Sequence, residues 1–198
     1  MKNRTVKIVF IFFAFLSIAT LFAAKLYENT VLVAERDEIV RQQMSSMEKM
    51  EFAPKPVTGE AKAFKLKDLE GKEYSLSDFK GKWVLLHFWA TWCPSCVWEI
   101  PSLIKFSQDI KPENLTVAAV SMDTEIADVK KFWGHILPGK ELPFLVLFDP
   151  EGDVAHSYGT FKLPETYLIN PEGKLHAHFI GPREWGTRVA SDYFKNLE

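Results

Sequence analysis

His87-Phe-Trp-Ala-Thr-Trp-Cys-Pro-Ser-Cys-Val-Trp-Glu99 holds both cysteines of a 198-residue chain. The residues before it, from Trp83 to Trp89, are apolar apart from His87. Such a run suits a strand buried on both faces. After it, Val97, Ile100, Leu103, Ile104 and Ile110 fall on one helical side. The pair therefore lies where a buried strand feeds a helix, with Cys93 at the helix start and Cys96 one turn inward. There, unpaired N–H groups and the helix dipole stabilise a thiolate, and Pro94 suits the first helical position because its missing N–H is not needed.

Three chemistries compete for this pair. A staple closing a four-residue loop would stabilise the chain by only about 2 kcal/mol before strain. A zinc site needs four ligands, normally a second CxxC or a spaced histidine pair, and there is no further cysteine. His176 and His178 lie two apart, as on one face of a strand, and read as a solvent-facing edge. His135 and His156 are isolated and read as surface residues. A redox dithiol uses most of the local residues: Cys93 attacks and is exposed, Cys96 is covered and resolves. The spacing favours this reading, with no metal.

The pattern continues outward from this unit. Phe64-Lys-Leu and Tyr74-Ser-Leu flank Asp68-Leu-Glu-Gly71-Lys as a hairpin. Leu115 to Val120 and Phe144 to Phe148 are further strands, with a helix between them started by Asp123-Thr124 and lined by Ile126, Val129 and Trp133. Thr166 to Ile169 and Leu175 to Ile180 pair around Asn170-Pro-Glu-Gly173, and Val189, Tyr193 and Leu197 mark a last helix. This order predicts an α/β fold with a mixed central sheet covered on both faces.

The N-terminus is of a different kind. Lys2, Arg4 and Lys7 precede an uncharged apolar run over residues 8–24, which stops at Lys25. As a helix it would reach roughly 26 Å, close to a hydrocarbon core of about 30 Å. That length favours an anchor over a cleavable signal peptide, whose apolar core is shorter; Ser17-Ile18-Ala19 is the cutting site in the second reading. No cysteine lies near the run to carry a lipid. The positive-inside rule then sends everything after Lys25 outward, into a compartment that permits disulfides. Residues 26–60 read as a helical stalk and linker, broken at Ala53-Pro-Lys-Pro, and residues 61–198 as the main domain. A net charge of −2 gives no field that would favour nucleic acid.

"FWATWCPSC" resembles the active site of the thioredoxin superfamily. "YGTFKLPETYLINPEGKL", from Tyr158 to Leu175, resembles the Pro-x-Thr segment of its membrane-anchored branch, the TlpA/ResA/DsbE-type thiol-disulfide oxidoreductases. The resemblance implies a thioredoxin-like fold behind an N-terminal transmembrane helix, in a single-pass protein of a bacterial inner membrane with its catalytic domain facing the periplasm or cell exterior. It implies Cys93 and Cys96 as the catalytic pair and no bound cofactor. It places Pro164 at the family's cis-proline, which exposes backbone to a substrate strand, and Trp92 on the docking surface, with a core or cap role as its alternative. Glu99 matches an acidic residue that tunes the thiols; its alternative is a solvated helix glutamate. His87 departs from the asparagine often found in that branch. It reads either as a proton relay to Cys96 or as a neutral core histidine bonded to backbone.

The partners so implied are disulfide-containing extracytoplasmic proteins, apocytochrome c among them, a membrane thiol-electron carrier, and lipid around the N-terminal helix. The competing functions are a disulfide-forming oxidant and a copper-binding chaperone that would use both cysteines and a histidine.

Overall fold

The computed structural model describes the backbone of residues 2–110 and 115–197, and their side chains except those of residues 2–19 and 29. The chain divides into two compact units, residues 1–51 and 52–198. The helix α1, Lys2–Phe52, makes up the first, and its last residue, Phe52, already counts with the second. It stops at Ala53, where Pro54 disfavours helical backbone in the residue before it. The expected membrane span over residues 8–24 lies largely outside the described side chains. Among the described residues no helix is long and apolar enough to cross a membrane.

The second unit is built on β1 (Lys55–Pro56), β2 (Lys65–Asp68), β3 (Glu73–Ser75), β4 (Trp83–Trp89), β5 (Leu115–Ser121), β6 (Leu145–Phe148), β7 (Glu165–Ile169) and β8 (Leu175–Ile180). They form one sheet in the order β1-β8-β7-β4-β5-β6-β2-β3. β4, β5 and β6 are parallel, and every other pairing is antiparallel. The helices are α2 (Pro94–Asp109), α3 (Ile126–Ile136), α4 (Asp153–Ser157) and α5 (Arg188–Lys195).

Alternation along β4 explains the two cores. Leu85 and Trp89 face a cluster with Ile100, Leu103, Phe106, Val129 and Phe194 from α2, α3 and α5. Val84, Leu86 and Phe88 face the other cluster, with Val120, Leu147, Ala155 and Tyr167. Successive strand residues point to opposite faces, so both must be apolar when both are covered. His87 is the polar break in this strand, and it points to the α2 side with Leu85 and Trp89.

Three expectations need correction. Asp123-Thr124 does not start α3, whose N-cap is Glu125; Asp123 is buried and used elsewhere. The short helix α4 was not foreseen, since five residues leave too little periodicity to read. His178 is not on a solvent-facing edge, because β1 pairs outside β8. Its ring stacks on Tyr167 at 4.1 Å and its Nε2 lies 3.4 Å from a Glu165 carboxylate oxygen. His176, His135 and His156 are exposed.

Candidate active site

The loop leaving β4 is fixed from below by Asp123. Its carboxylate accepts hydrogen bonds from the Thr91 N–H, the Thr91 hydroxyl and the Ser121 hydroxyl. This delivers Trp92 and Cys93 to the start of α2. Asp123→Ala leaves those buried donors without an acceptor. The expected loss is about 2–4 kcal/mol of unfolding free energy, read by urea titration; a change within 0.5 kcal/mol of zero would mean that Asp123 does not anchor the loop.

Cys93 is the N-cap of α2, with Pro94 following at the first helical position. The Cys96 N–H donates to Cys93 Sγ at 3.3 Å. The two cysteines are joined as a disulfide, with their Cα atoms 5.3 Å apart. Cys96 is fully covered, and Cys93, expected to be exposed, keeps only 5% of its surface. That remnant opens into a cleft of about 350 Å³ lined by Trp92, Met122, Thr160, Phe161 and Leu163. Trp92 is 64% exposed and Phe161 80% exposed, so Trp92 is neither core nor cap. The Leu163–Pro164 peptide is cis. The next residue, Glu165, pairs with Phe88, which puts Pro164 at the sheet end from which the cysteine loop departs. Its carbonyl accepts from the Gly181 N–H at 3.0 Å.

Three residues beyond Cys96 on α2, Glu99 is the centre of a buried polar cluster. Glu99 is not a solvated helix residue: it is 1% exposed. Its Oε2 accepts from the Arg183 N–H at 2.8 Å and the Trp185 Nε1–H at 3.1 Å. Its Oε1 lies 3.4 Å from His87 Nε2. Burial pushes the Glu99 carboxyl up to about 7, against the lowering effect of those two N–H donors. The backbone segment that supplies them is clamped to α2 by Ser102, whose hydroxyl donates to the Glu99 carbonyl and accepts from the Trp185 N–H.

His87 completes the cluster. It is fully buried, and burial pushes its imidazole down to about 3, so the ring is neutral at physiological pH. Its Nδ1 lies 2.9 Å from Thr166 Oγ1. The pairing register sets His87 directly opposite Thr166. The expected backbone partner of a core histidine is thus a side chain.

The sequence reading singled out His87, Trp92, Cys93, Cys96, Glu99 and Pro164. It missed Thr91, Asp123, Thr166, Arg183 and Trp185. Thr166 stood in the Pro-x-Thr segment and was open to being paired with His87 through strand alignment. Trp185 and Arg183 lie in an irregular stretch that carries no periodic signal. Among the described residues no group of three or more His, Cys, Asp or Glu side chains is placed to hold a metal ion.

Residues 57–178 match the AhpC/TSA family. The thiol-disulfide oxidoreductase ResA of Bacillus cereus is 37% identical over 153 residues, which cover 77% of this chain and 82% of that protein. The crystal structure of a thiol:disulfide interchange protein DsbE from Chlorobium tepidum aligns with a TM-score of 0.61 at 29% identity, over 72% of this chain and 97% of that one. StoA from Bacillus subtilis aligns with a TM-score of 0.53 at 26% identity, over 62% and 90%. With a disulfide at a helix start, a covered second cysteine and a thioredoxin-like sheet beneath them, the chain belongs to the AhpC/TSA family as a protein-disulfide oxidoreductase of the TlpA/ResA/DsbE type.

Proposed function

We propose that this oxidoreductase works as a membrane-tethered reductant of disulfides in extracytoplasmic proteins, resupplied with electrons by a membrane thiol carrier. Apocytochrome c, with its CxxCH disulfide awaiting haem, is the proposed client class. The tether is the apolar run over residues 8–24, held by lipid and flanked by lysines. The observation that carries the dithiol-exchange reading is Glu99, a carboxyl at about 7 placed three residues beyond Cys96 on the same helix, and the reductant direction is the one the resemblance to ResA supports. Resolving a mixed disulfide requires Cys96 to lose a proton at neutral pH, and a base is most effective when its pKa lies near the working pH.

The cycle balances as follows. The Cys93 thiolate attacks one sulfur of a substrate disulfide, and the other substrate sulfur leaves as a thiolate. Cys96 passes its proton to Glu99 and attacks Cys93 Sγ, and the second substrate sulfur leaves with its electron pair. Two electrons have moved to the substrate, and Cys93–Cys96 is a disulfide for the carrier to reduce. Pro164 has no N–H and its carbonyl is engaged by Gly181, so the backbone offered to a docking strand is that of Leu163 at the cleft wall.

Two measurements test this reading. In cells, Cys93–Cys96 is reduced at steady state and turns oxidised when the carrier is removed; a pair oxidised in both conditions would assign the protein to disulfide formation instead. Trp92→Ala is expected to lower kcat/KM about tenfold on a protein disulfide, the loss of one aromatic contact at a docking surface. It should leave stability and turnover of a small aromatic disulfide unchanged. Equal loss on both substrates would remove Trp92 from docking.

A further inference from the structure

We propose that His87 is a positioning residue for Glu99. It carries its proton on Nε2 while Glu99 is a carboxylate and on Nδ1 while Glu99 is protonated, and the Thr166 hydroxyl reverses its own role to match. The inference rests on the reading of Cys93–Cys96 as a dithiol whose resolving step uses Glu99.

Hydrogen-bond accounting in a sealed cluster leads to it. Glu99 Oε2 already takes two N–H donors, from Arg183 and Trp185, so a proton added to Glu99 belongs on Oε1. Oε1 faces His87 Nε2 at 3.4 Å, and as placed the two make no hydrogen bond, so each is a buried polar atom aimed at the other without a partner. With Glu99 ionised, Oε1 needs a donor, which Nε2–H supplies once the two close to hydrogen-bond geometry; Nδ1 is then bare and accepts from the Thr166 hydroxyl at 2.9 Å. With Glu99 protonated, Oε1–H needs an acceptor, which is a bare Nε2; the ring proton sits on Nδ1 and donates to Thr166 Oγ1. A hydroxyl both donates and accepts, so Thr166 serves both states.

Without that closure His87 Nε2 and Glu99 Oε1 stay unpaired in a buried site, as the structure places them, which is unfavourable in either state. The ring holds one proton in either state. The ion pair of imidazolium and carboxylate has the same proton count as the second state and is the route into it. The other charged groups acting on Glu99 are Arg183 and Glu184, from the segment after β8, with opposite signs. Cys96 lies on its own helix, and Thr166 is the hydrogen-bond partner that β7 gives to His87.

This arrangement would let Glu99 change protonation state during thiol exchange while the buried cluster stays satisfied. An apolar residue at position 87 would hold the carboxyl in one state.

The test is ring-nitrogen NMR of the full-length oxidised protein with labelled histidine, from one pH unit below to one unit above the Glu99 midpoint. The expected ratio of His87 Nε2–H to Nδ1–H changes about a hundredfold over that interval. It follows the same midpoint as a protonated-carboxyl infrared band that Glu99→Gln removes. In Glu99→Gln the tautomer is fixed, and Thr166→Ser, which keeps the hydroxyl, retains the switch. A single tautomer throughout, or an imidazolium signal following Glu99, overturns the proposal. Turnover of a small disulfide by the same sample separates the two readings. An inactive dithiol strikes the proposed function, whereas a fixed tautomer in an active protein strikes this inference alone.

Discussion

Cys96→Ala attacks disulfides once and then stops. Cys93 remains at the start of α2 with its Sγ open to the cleft, so the first exchange forms a mixed disulfide with the client. Resolution in the intact protein is intramolecular, by a thiol held one helical turn away. Well-oriented intramolecular reactions reach effective molarities on the order of 10⁵ M or more. An external thiol at millimolar concentration cannot match that, so the mixed disulfide should persist and turnover should fall by several orders of magnitude. Cys93→Ser loses the first exchange as well and captures nothing. Mass spectrometry of the trapped species gives the clients: apocytochromes with a CxxCH motif support the proposed role. Trapping only of a membrane partner through that partner's own disulfide would mark a disulfide-forming enzyme, since a lone Cys93 thiol exchanges only with a disulfide, and copper bound by a protein that traps nothing would mark a chaperone.

The trap depends on features that differed in how far the sequence revealed them. The strand from Trp83 to Trp89 and the helix from Pro94 were readable because a strand buried on both faces is apolar throughout and a helix buried on one side is periodic. The dithiol was readable because two cysteines at that junction admit few chemistries. What was hidden depends on pairing across the sheet and on loops. Asp123 reads as a helix cap in one dimension, yet its oxygens hold a loop 32 residues earlier in the chain. Glu99 is left in sequence between a thiol-tuning acid and a solvated helix glutamate, and it is the segment from Arg183 to Trp185 that covers it with two N–H donors. His87 stood out as a polar residue in an apolar strand, but its partners come from β7 and α2. Only register and helix docking bring them within reach.

The second large effect is on stability against pH, because His87 and Glu99 titrate in opposite senses on folding. His87 falls from its ordinary 6.5 to about 3, so between those values the folded protein binds fewer protons than the unfolded chain and stability rises with pH. Glu99 rises from 4.5 to about 7, so in that window the folded protein binds more protons and stability falls with pH. Each slope is about 1.4 kcal/mol per pH unit. Where the windows overlap, from 4.5 to 6.5, the slopes cancel. The pair therefore contributes a rise of about 2 kcal/mol below the overlap, a plateau across it, and a fall of under about 1 kcal/mol above it.

His87→Asn removes the rising limb and uncovers the falling one. Unfolding free energy of the oxidised variant should then drop by about 3 kcal/mol across the Glu99 window. Glu99→Gln does the reverse, adding a climb of about 4–5 kcal/mol across the His87 window, and the double variant is flat with respect to both groups. Urea titrations at half-unit pH steps, referenced to the parent protein, isolate these limbs from the carboxylates they share. If the curves of the parent and His87→Asn run parallel from 4.5 to 7, His87 binds protons equally in the folded and unfolded chain, and burial does not hold the imidazole neutral.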